Sequence, residues 1–238
     1  MIRRLKKVIK EIIEEVSEAS APQSQETSKQ EGEAAEPQKA GKPELLILDP
    51  AMLGAAEEKP EPDLRVMGLF SEVEQEKIAE LVHGLLYMNE LNKLEEKEED
   101  RKSIDFYLCT YGGSADDMFA LYDVLNIVKE TTEVHTIGVG KVMSAGVLLL
   151  AAGTKGKRKI GRNCRVMIHA VSAGNVGTVH NLVNELGEIQ NLQEAYIDAI
   201  VENSNFTKRS LKKLMDRKVN VYLSAEEAIE HGIADILI

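Results

Sequence analysis

Apolar side chains in the first sixteen residues recur at spacings of three or four, which is the period of one helix face. The pattern predicts an amphipathic helix over residues 1–16, with basic residues early and glutamates late. Because this charge order opposes the helix dipole, a helix there needs a partner surface to persist. It is either a fraying terminal helix or a docking and self-association helix. The apolar positions are Ile2, Leu5, Val8, Ile9, Ile12, Ile13 and Val16.

The apolar periodicity then stops. Residues 17–63 are rich in Ser, Ala, Gln, Glu, Lys, Pro and Gly, with one small apolar island at 45–48. Such a composition buries too little surface to offset the chain entropy lost on folding. We therefore expect a largely disordered linker over 17–63 and a folded domain over 64–238.

From residue 64 onward, strand-like and helix-like patterns alternate. Strands are predicted at 65–70, 104–110, 134–139 and 165–169, and helices up to 94 and at 115–129, 144–152 and 179–203. Ser71 and Glu74, and again Ser224 and Glu227, have the spacing of capping boxes, and Thr207 is predicted to cap a shorter helix. Repeated strand–helix units predict an α/β fold with a mainly parallel sheet.

Composition and charge narrow the possible partners. The chain has 238 residues and a net charge of −11, which argues against nucleic acid or an anionic membrane as a main partner. No run of eighteen apolar residues is present, and the N-terminus lacks the pattern of a signal peptide. Two cysteines, Cys109 and Cys164, cannot form a disulfide framework, so we expect a reducing, cytoplasmic location.

Three positions suggest chemistry. Ser144 lies between a strand and an apolar helix and is flanked by small residues, as a nucleophile on a strand-to-helix turn would be. It could equally be a helix N-cap. His169 ends the next predicted strand, where a structural role is the common alternative. Gly112 and Gly113 could form a simple turn or could direct a backbone N–H toward a ligand.

Longer segments around these positions resemble the Clp protease proteolytic subunit family (ClpP). The resemblance covers about residues 65–237, and its most specific segment is AAGTKGKRKIGRNCRVMIH at 151–169. Further matches are MSAG around Ser144, ALYDVL at 120–125 and YLSAEEAIEHGIAD at 222–235. The resemblance implies a ClpP/crotonase-like α/β fold with repeated β-β-α units, in which 179–203 is the long handle helix.

The resemblance also implies roles for individual residues. Ser144 would be the nucleophile and His169 the general base, and Asp216, eight residues before Ser224, would be the acid of the triad. The N–H groups of Gly113 and Ala145 would form the oxyanion hole. The stretch 171–177 would pair with substrate as an added strand. The substrate-binding residues would be Gly112, Met143, Val171, Ser172, Ala173 and Gly174.

The implied activity is that of an ATP-dependent Clp-type serine endopeptidase that cleaves unfolded polypeptides inside a chamber of stacked, heptameric rings. An AAA+ unfoldase would deliver the substrates, and the chain itself would need no cofactor and no metal. The main competing hypothesis is a Ser–Lys peptidase of the signal-peptide-peptidase type, with Lys141, Lys155 or Lys157 as the base. The same fold would also suit a non-catalytic ring subunit or a crotonase-type acyl-CoA enzyme.

Overall fold

The computed structural model describes residues 64–217 and 219–238, all of them in the compact unit Pro60–Ile238. The helix predicted over 1–16 and the linker predicted over 17–63 lie outside the described residues. None of the described helices is long and apolar enough to cross a membrane.

The predicted strands and helices are present in the predicted order, together with three short strands that were not predicted. The strands are β1 (Val66–Leu69), β2 (Ile104–Thr110), β3 (Val134–Met143), β4 (Lys159–Ile160), β5 (Arg165–Ile168), β6 (Val221–Leu223) and β7 (Ile236–Leu237). The helices are α1 (Gln75–Lys93), α2 (Ala115–Lys129), α3 (Ala145–Ala151), α4 (Val179–Asn203), α5 (Lys208–Met215) and α6 (Ala225–Glu230). The predicted mixed α/β class and the long helix are therefore confirmed.

The strands form one sheet that is parallel except at one pair. Its main order is β1-β2-β3-β4-β7, while β5 pairs with β3 in parallel and β6 pairs with β5 in antiparallel orientation. Strand β3 is longer than predicted because it continues through Gly140, where φ is +63°. Its first half pairs with β4 and its second half with β5. This change of partner brings the end of β3 beside the end of β5.

The core is apolar and continuous, and helix α3 lies at its centre. All seven residues of α3 are buried, as the uninterrupted apolar sequence AGVLLLA requires. Arg158 connects this core to the C-terminal segment through hydrogen bonds. Its guanidinium donates to the carbonyl of Ala151 and to both carboxylate oxygens of Asp235.

Of the three predicted helix caps, two are present and one is not. Thr207 and Ser224 both form capping boxes. The box predicted at Ser71 is wrong: helix α1 begins at Gln75, its N-cap Glu74 makes no side-chain cap, and the Ser71 hydroxyl donates to the Glu72 carbonyl. The cause is Val73, which forms a parallel β-bridge with Gly113 and keeps the chain extended until Glu74.

Candidate active site

The backbone at Ser144 is in a conformation that L residues rarely adopt. Its φ is +52° and its ψ is −122°, and it is the one non-glycine residue with positive φ among those described. Although Ser144 stands at the N-cap of α3, its side chain makes no capping hydrogen bond. The interpretation of Ser144 as a simple cap is therefore wrong. Strain of this kind needs surrounding structure to hold it and is typical of a nucleophile on a sharp strand-to-helix turn.

The Ser144 hydroxyl instead lies within hydrogen-bonding distance of His169. Nε2 of His169 lies 2.8 Å from Oγ of Ser144. The contact follows from the sheet, because β3 and β5 are parallel with Met143 opposite Met167, and Ser144 follows β3 directly while His169 follows β5. The N–H of Ser144 also donates to the carbonyl of Met167 at 2.8 Å. The pairing of serine and histidine expected from the sequence is present.

The glycine loop lies against Ser144 and has no room for side chains. At Gly112, where φ is +101°, a Cβ atom would lie 2.6 Å from Cβ of Ser144 and 3.1 Å from the nitrogen of Ala145. At Gly113, a Cβ atom would lie 2.3 Å from the Val73 carbonyl oxygen. The loop is fixed on Val73, whose N–H donates to Gly112 and whose carbonyl accepts from Ser114. Glycine is therefore required here by close approach of the backbone.

Two backbone N–H groups remain near the serine. The N–H of Gly113 has no hydrogen-bond partner within the part of the chain that the structure describes. The N–H of Ala145 belongs to the first residue of α3, where helical geometry supplies no acceptor. Both residues line the same cavity as Ser144. Donors of this kind can stabilise negative charge that develops on a substrate oxygen.

The cavity in front of the pair holds about 180 Å³. It is lined by Gly113, Ser114, Ala115, Met118, Ser144, Ala145, His169, Val171, Ser172 and Tyr196. Of the six expected substrate-binding positions, Val171 and Ser172 line it, whereas Gly112, Met143, Ala173 and Gly174 do not. Gly112 is buried within the glycine loop, and Ala173 and Gly174 are exposed to solvent.

Sequence reasoning missed four lining residues: Ser114, Ala115, Met118 and Tyr196. Met118 lies in the first turns of α2, which begins directly after the glycine loop. Its closeness to this loop in the sequence could have indicated that it lines the site. Tyr196 is buried in the second half of α4 and donates its hydroxyl to the Ser144 carbonyl at 3.0 Å. Burial raises the pKa of Tyr196, so the phenol keeps the proton that it donates. A tertiary contact over this sequence separation has no local signature.

The expected acid makes no hydrogen bond with the histidine. Asp216 is exposed at the C-cap of α5, and within the described residues its carboxylate makes no hydrogen bond or ion pair, with His169 or with any other group. Two of the three expected triad residues are therefore in direct contact.

The three lysines considered as bases are engaged elsewhere. Nζ of Lys141 lies 3.8 Å from Sγ of Cys109 and 4.3 Å from the centre of the Tyr111 ring. Lys155 donates to the Glu202 carbonyl, and Lys157 pairs with Glu133 at 3.6 Å. None of these lysines lines the cavity at Ser144. The geometry thus favours a histidine base over a lysine base.

A strained serine on a strand-to-helix turn, a histidine on its hydroxyl and unpaired N–H groups beside it define a serine hydrolase of the α/β class. Comparison with known proteins gives the family. The profile of the Clp protease family matches residues 63–238, and the chain belongs to that family. It is thus a Clp-type serine peptidase, which hydrolyses peptide bonds.

Curated relatives from this family are similar over most of the chain. An ATP-dependent Clp protease proteolytic subunit 1 of Prochlorococcus marinus (strain MIT 9312) is 33% identical over 174 residues, which are 73% of this chain and 84% of the relative. An ATP-dependent Clp protease proteolytic subunit of Chlorella vulgaris is 32% identical over 171 residues, or 72% and 80% of the two chains.

Proposed function

We propose that the chain cleaves unfolded polypeptides with Ser144 as the nucleophile and His169 as the general base. The observation that carries the proposal is the 2.8 Å contact between Ser144 Oγ and His169 Nε2 at a strained turn. A serine hydroxyl is a weak nucleophile until a neighbouring base accepts its proton. The imidazole nitrogen is within reach for that transfer.

The reaction runs in two balanced halves. His169 Nε2 takes the hydroxyl proton while Ser144 Oγ bonds to the substrate carbonyl carbon, and the carbonyl electron pair moves onto oxygen. We assign the N–H groups of Gly113 and Ala145 to that oxyanion. The intermediate then expels the amine, which takes the proton from His169. A water molecule repeats the sequence on the serine ester, so one water is consumed for each peptide bond.

Substrate would enter along the segment after His169. Ala115, Met118 and Val171 give the cavity an apolar side next to the proposed backbone donors. The stretch 171–177 has no strand partner among the described residues. An extended peptide could add to it through backbone hydrogen bonds, which suits low sequence specificity.

We propose further that the subunits assemble into stacked rings, heptameric as the resemblance implies, and that an AAA+ unfoldase delivers substrates in the cytoplasm. The first half of α4 supports assembly because its apolar side chains are exposed and do not pack into the core of the same subunit. Val179, Val183 and Leu186 are 73%, 64% and 56% exposed, whereas Tyr196 and Ile200 further along are buried. An unpaired apolar helix face of this kind is typical of an interface.

The test of the proposed function is labelling with a fluorophosphonate probe followed by peptide mapping. The expected result is modification at Ser144, no modification in Ser144→Ala, and strongly reduced labelling in His169→Ala. Cleavage of a fluorogenic peptide by Ser144→Ala at the wild-type rate would overturn the proposal. Mass photometry of the same samples should give particles many times the 26.3 kDa of one chain.

A further inference from the structure

We propose that Asn220 is the positioning residue of His169, so that an amide holds the imidazole in this chain and Asp216 takes no part. The inference rests on the proposed function, because it names the residue that orients the proposed base. Asn220 was not singled out by the sequence. It comes from the register of the one antiparallel pair in the described sheet.

Strands β5 and β6 pair with Val166 opposite Leu223, Met167 opposite Tyr222 and Ile168 opposite Val221. One more step along this register places His169 opposite Asn220. Directly opposed residues of an antiparallel pair have Cβ atoms roughly 5 Å apart and project from the same face. Asn220 therefore lies directly before β6, at the point where His169 leaves β5.

The histidine needs a partner at its second nitrogen. Nε2 faces Ser144, and no group within the described residues hydrogen-bonds to Nδ1. Asn220 is exposed, and its amide makes no hydrogen bond within the same residues. Catalytic hydrogen bonds are often long before substrate binds, so two unused groups at opposed positions are the relevant observation. From an opposed position, a rotation of the Asn220 side chain would bring its Oδ1 toward Nδ1.

Asp216 is less suited to this contact. It lies four residues earlier, at the end of α5, with a helical φ of −65°. Residues 217–219 separate it from Asn220, so it has no place in the register that carries His169. Asp216 is exposed at a helix end and lies outside every strand of the described residues.

An amide and a carboxylate at position 220 would act differently on His169. The Oδ1 atom of Asn220 can accept the Nδ1–H of neutral imidazole, which leaves Nε2 free to take the proton of Ser144. An uncharged amide orients the ring but gives little stabilisation to the imidazolium that forms in the transition state. We therefore infer a site that is correctly oriented but slower than one with a carboxylate at 220.

The test is steady-state cleavage of a fluorogenic peptide by Asn220→Ala, Asn220→Asp, Asp216→Asn and wild type. Asn220→Ala should lower kcat by roughly tenfold or more with little change in KM, since orientation of the base acts on the chemical step. Asn220→Asp should raise kcat by roughly tenfold or more above wild type, because a carboxylate stabilises the imidazolium. Asp216→Asn is the matched control and should stay within about twofold of wild type.

Other results would overturn the inference. A loss of kcat in Asp216→Asn as large as that in His169→Ala would assign the role to Asp216. Unchanged kcat in both Asn220 variants would remove Asn220 from the site. Mass photometry will show whether Asn220→Ala assembles. If it does not, the inference is tested by Asn220→Asp alone, whose kcat must rise above that of wild type. Failure of the proposed function is distinguishable, because it would appear as retained cleavage in Ser144→Ala.

Discussion

The hydroxyl of Tyr196 donates to the backbone carbonyl of Ser144 at 3.0 Å, across fifty-two positions of the chain. The tyrosine belongs to the half of α4 that packs into the core, while the other half of α4 carries the exposed apolar face. The same helix therefore touches the strained turn at one end and presents the proposed assembly face at the other. This arrangement gives a physical route by which assembly could affect the nucleophile.

Tyr196→Phe should slow the reaction without blocking substrate binding. The substitution removes one hydroxyl and keeps the ring that lines the cavity, so we expect kcat to fall by roughly tenfold, or about 1.4 kcal/mol, at little change in KM. Kinetics with a fluorogenic peptide measure it. Tyr87→Phe on the exposed face of α1 is the control, and it should leave kcat unchanged. Equal kcat in Tyr196→Phe and wild type would show that the contact does not position the serine.

Gly112→Ala should abolish most activity because a methyl group cannot fit between the loop and the serine. Its Cβ would lie 2.6 Å from Cβ of Ser144, at a φ of +101°. The control is Gly156→Ala, where φ is +83° but nothing lies within 4 Å of the added atom. That variant should lose roughly 1–2 kcal/mol of stability through backbone strain alone and keep its activity. Similar activity in the two variants would contradict the steric explanation.

The strain at Ser144 should be visible as a difference between two inactive variants. Ser144→Ala keeps a β-carbon at the positive φ, whereas Ser144→Gly relieves the strain by removing it. Both should lose hydrolysis, but Ser144→Gly should be more stable than Ser144→Ala by roughly 1 kcal/mol. Thermal unfolding of assemblies of equal size measures this difference. A lower melting temperature for Ser144→Gly would contradict stored strain at the turn.

Asp235 should make stability depend on acid pH. Burial acts to raise its pKa, but the hydrogen bonds and charge of Arg158 and the N–H of Gly156 outweigh burial and hold the pKa below the ordinary value. A depressed folded-state pKa adds stability above the unfolded-state pKa of roughly 4, and this contribution is lost as pH falls through the folded-state value. The stability of wild type should therefore fall more steeply below about pH 4 than that of Asp235→Asn, which has no carboxylate to titrate at this position.

At neutral pH, Asp235→Asn should be less stable by roughly 2 kcal/mol, because Arg158 is left buried without its charged partner. The control is Asp198→Asn, whose carboxylate pairs with Lys208 at the surface, and which should change stability by about 0.5 kcal/mol or less. Chemical denaturation at neutral and at acid pH measures both effects. Parallel pH curves for wild type and Asp235→Asn would contradict this prediction.

Deletion of residues 1–42 should separate peptide cleavage from the delivery of folded substrates. Every residue of the proposed site lies beyond residue 64, so cleavage of a small peptide should persist. If the apolar stripe at 1–16 docks on a partner, degradation of a folded protein with an unfoldase should weaken. Ile9→Glu in the full chain should weaken it in the same way, since it interrupts the stripe alone. Loss of peptide cleavage together with ring disassembly would make the segment structural.

Much of the fold was predictable because its elements carry local signals. Alternating strand and helix patterns, the capping residues Thr207 and Ser224 and the all-apolar sequence of α3 act over a few residues each. The capping box at Ser71 was predicted wrongly because the bridge between Val73 and Gly113 overrides the local preference. That bridge joins residues forty positions apart, which no local pattern records.

The sequence by itself determined the α/β class, the family and the two residues Ser144 and His169, since residue types at fixed spacings follow directly from the order of the chain. Tertiary structure decided how those residues are used. Only the partner change within β3 brings His169 to Ser144, and only packing of α4 places Tyr196 on the serine carbonyl. Only the β5–β6 register pairs Ile168 with Val221, the pair from which the proposed role of Asn220 is inferred. Contacts between distant strands depend on pairing and packing of the whole sheet, so they cannot be read from any one segment.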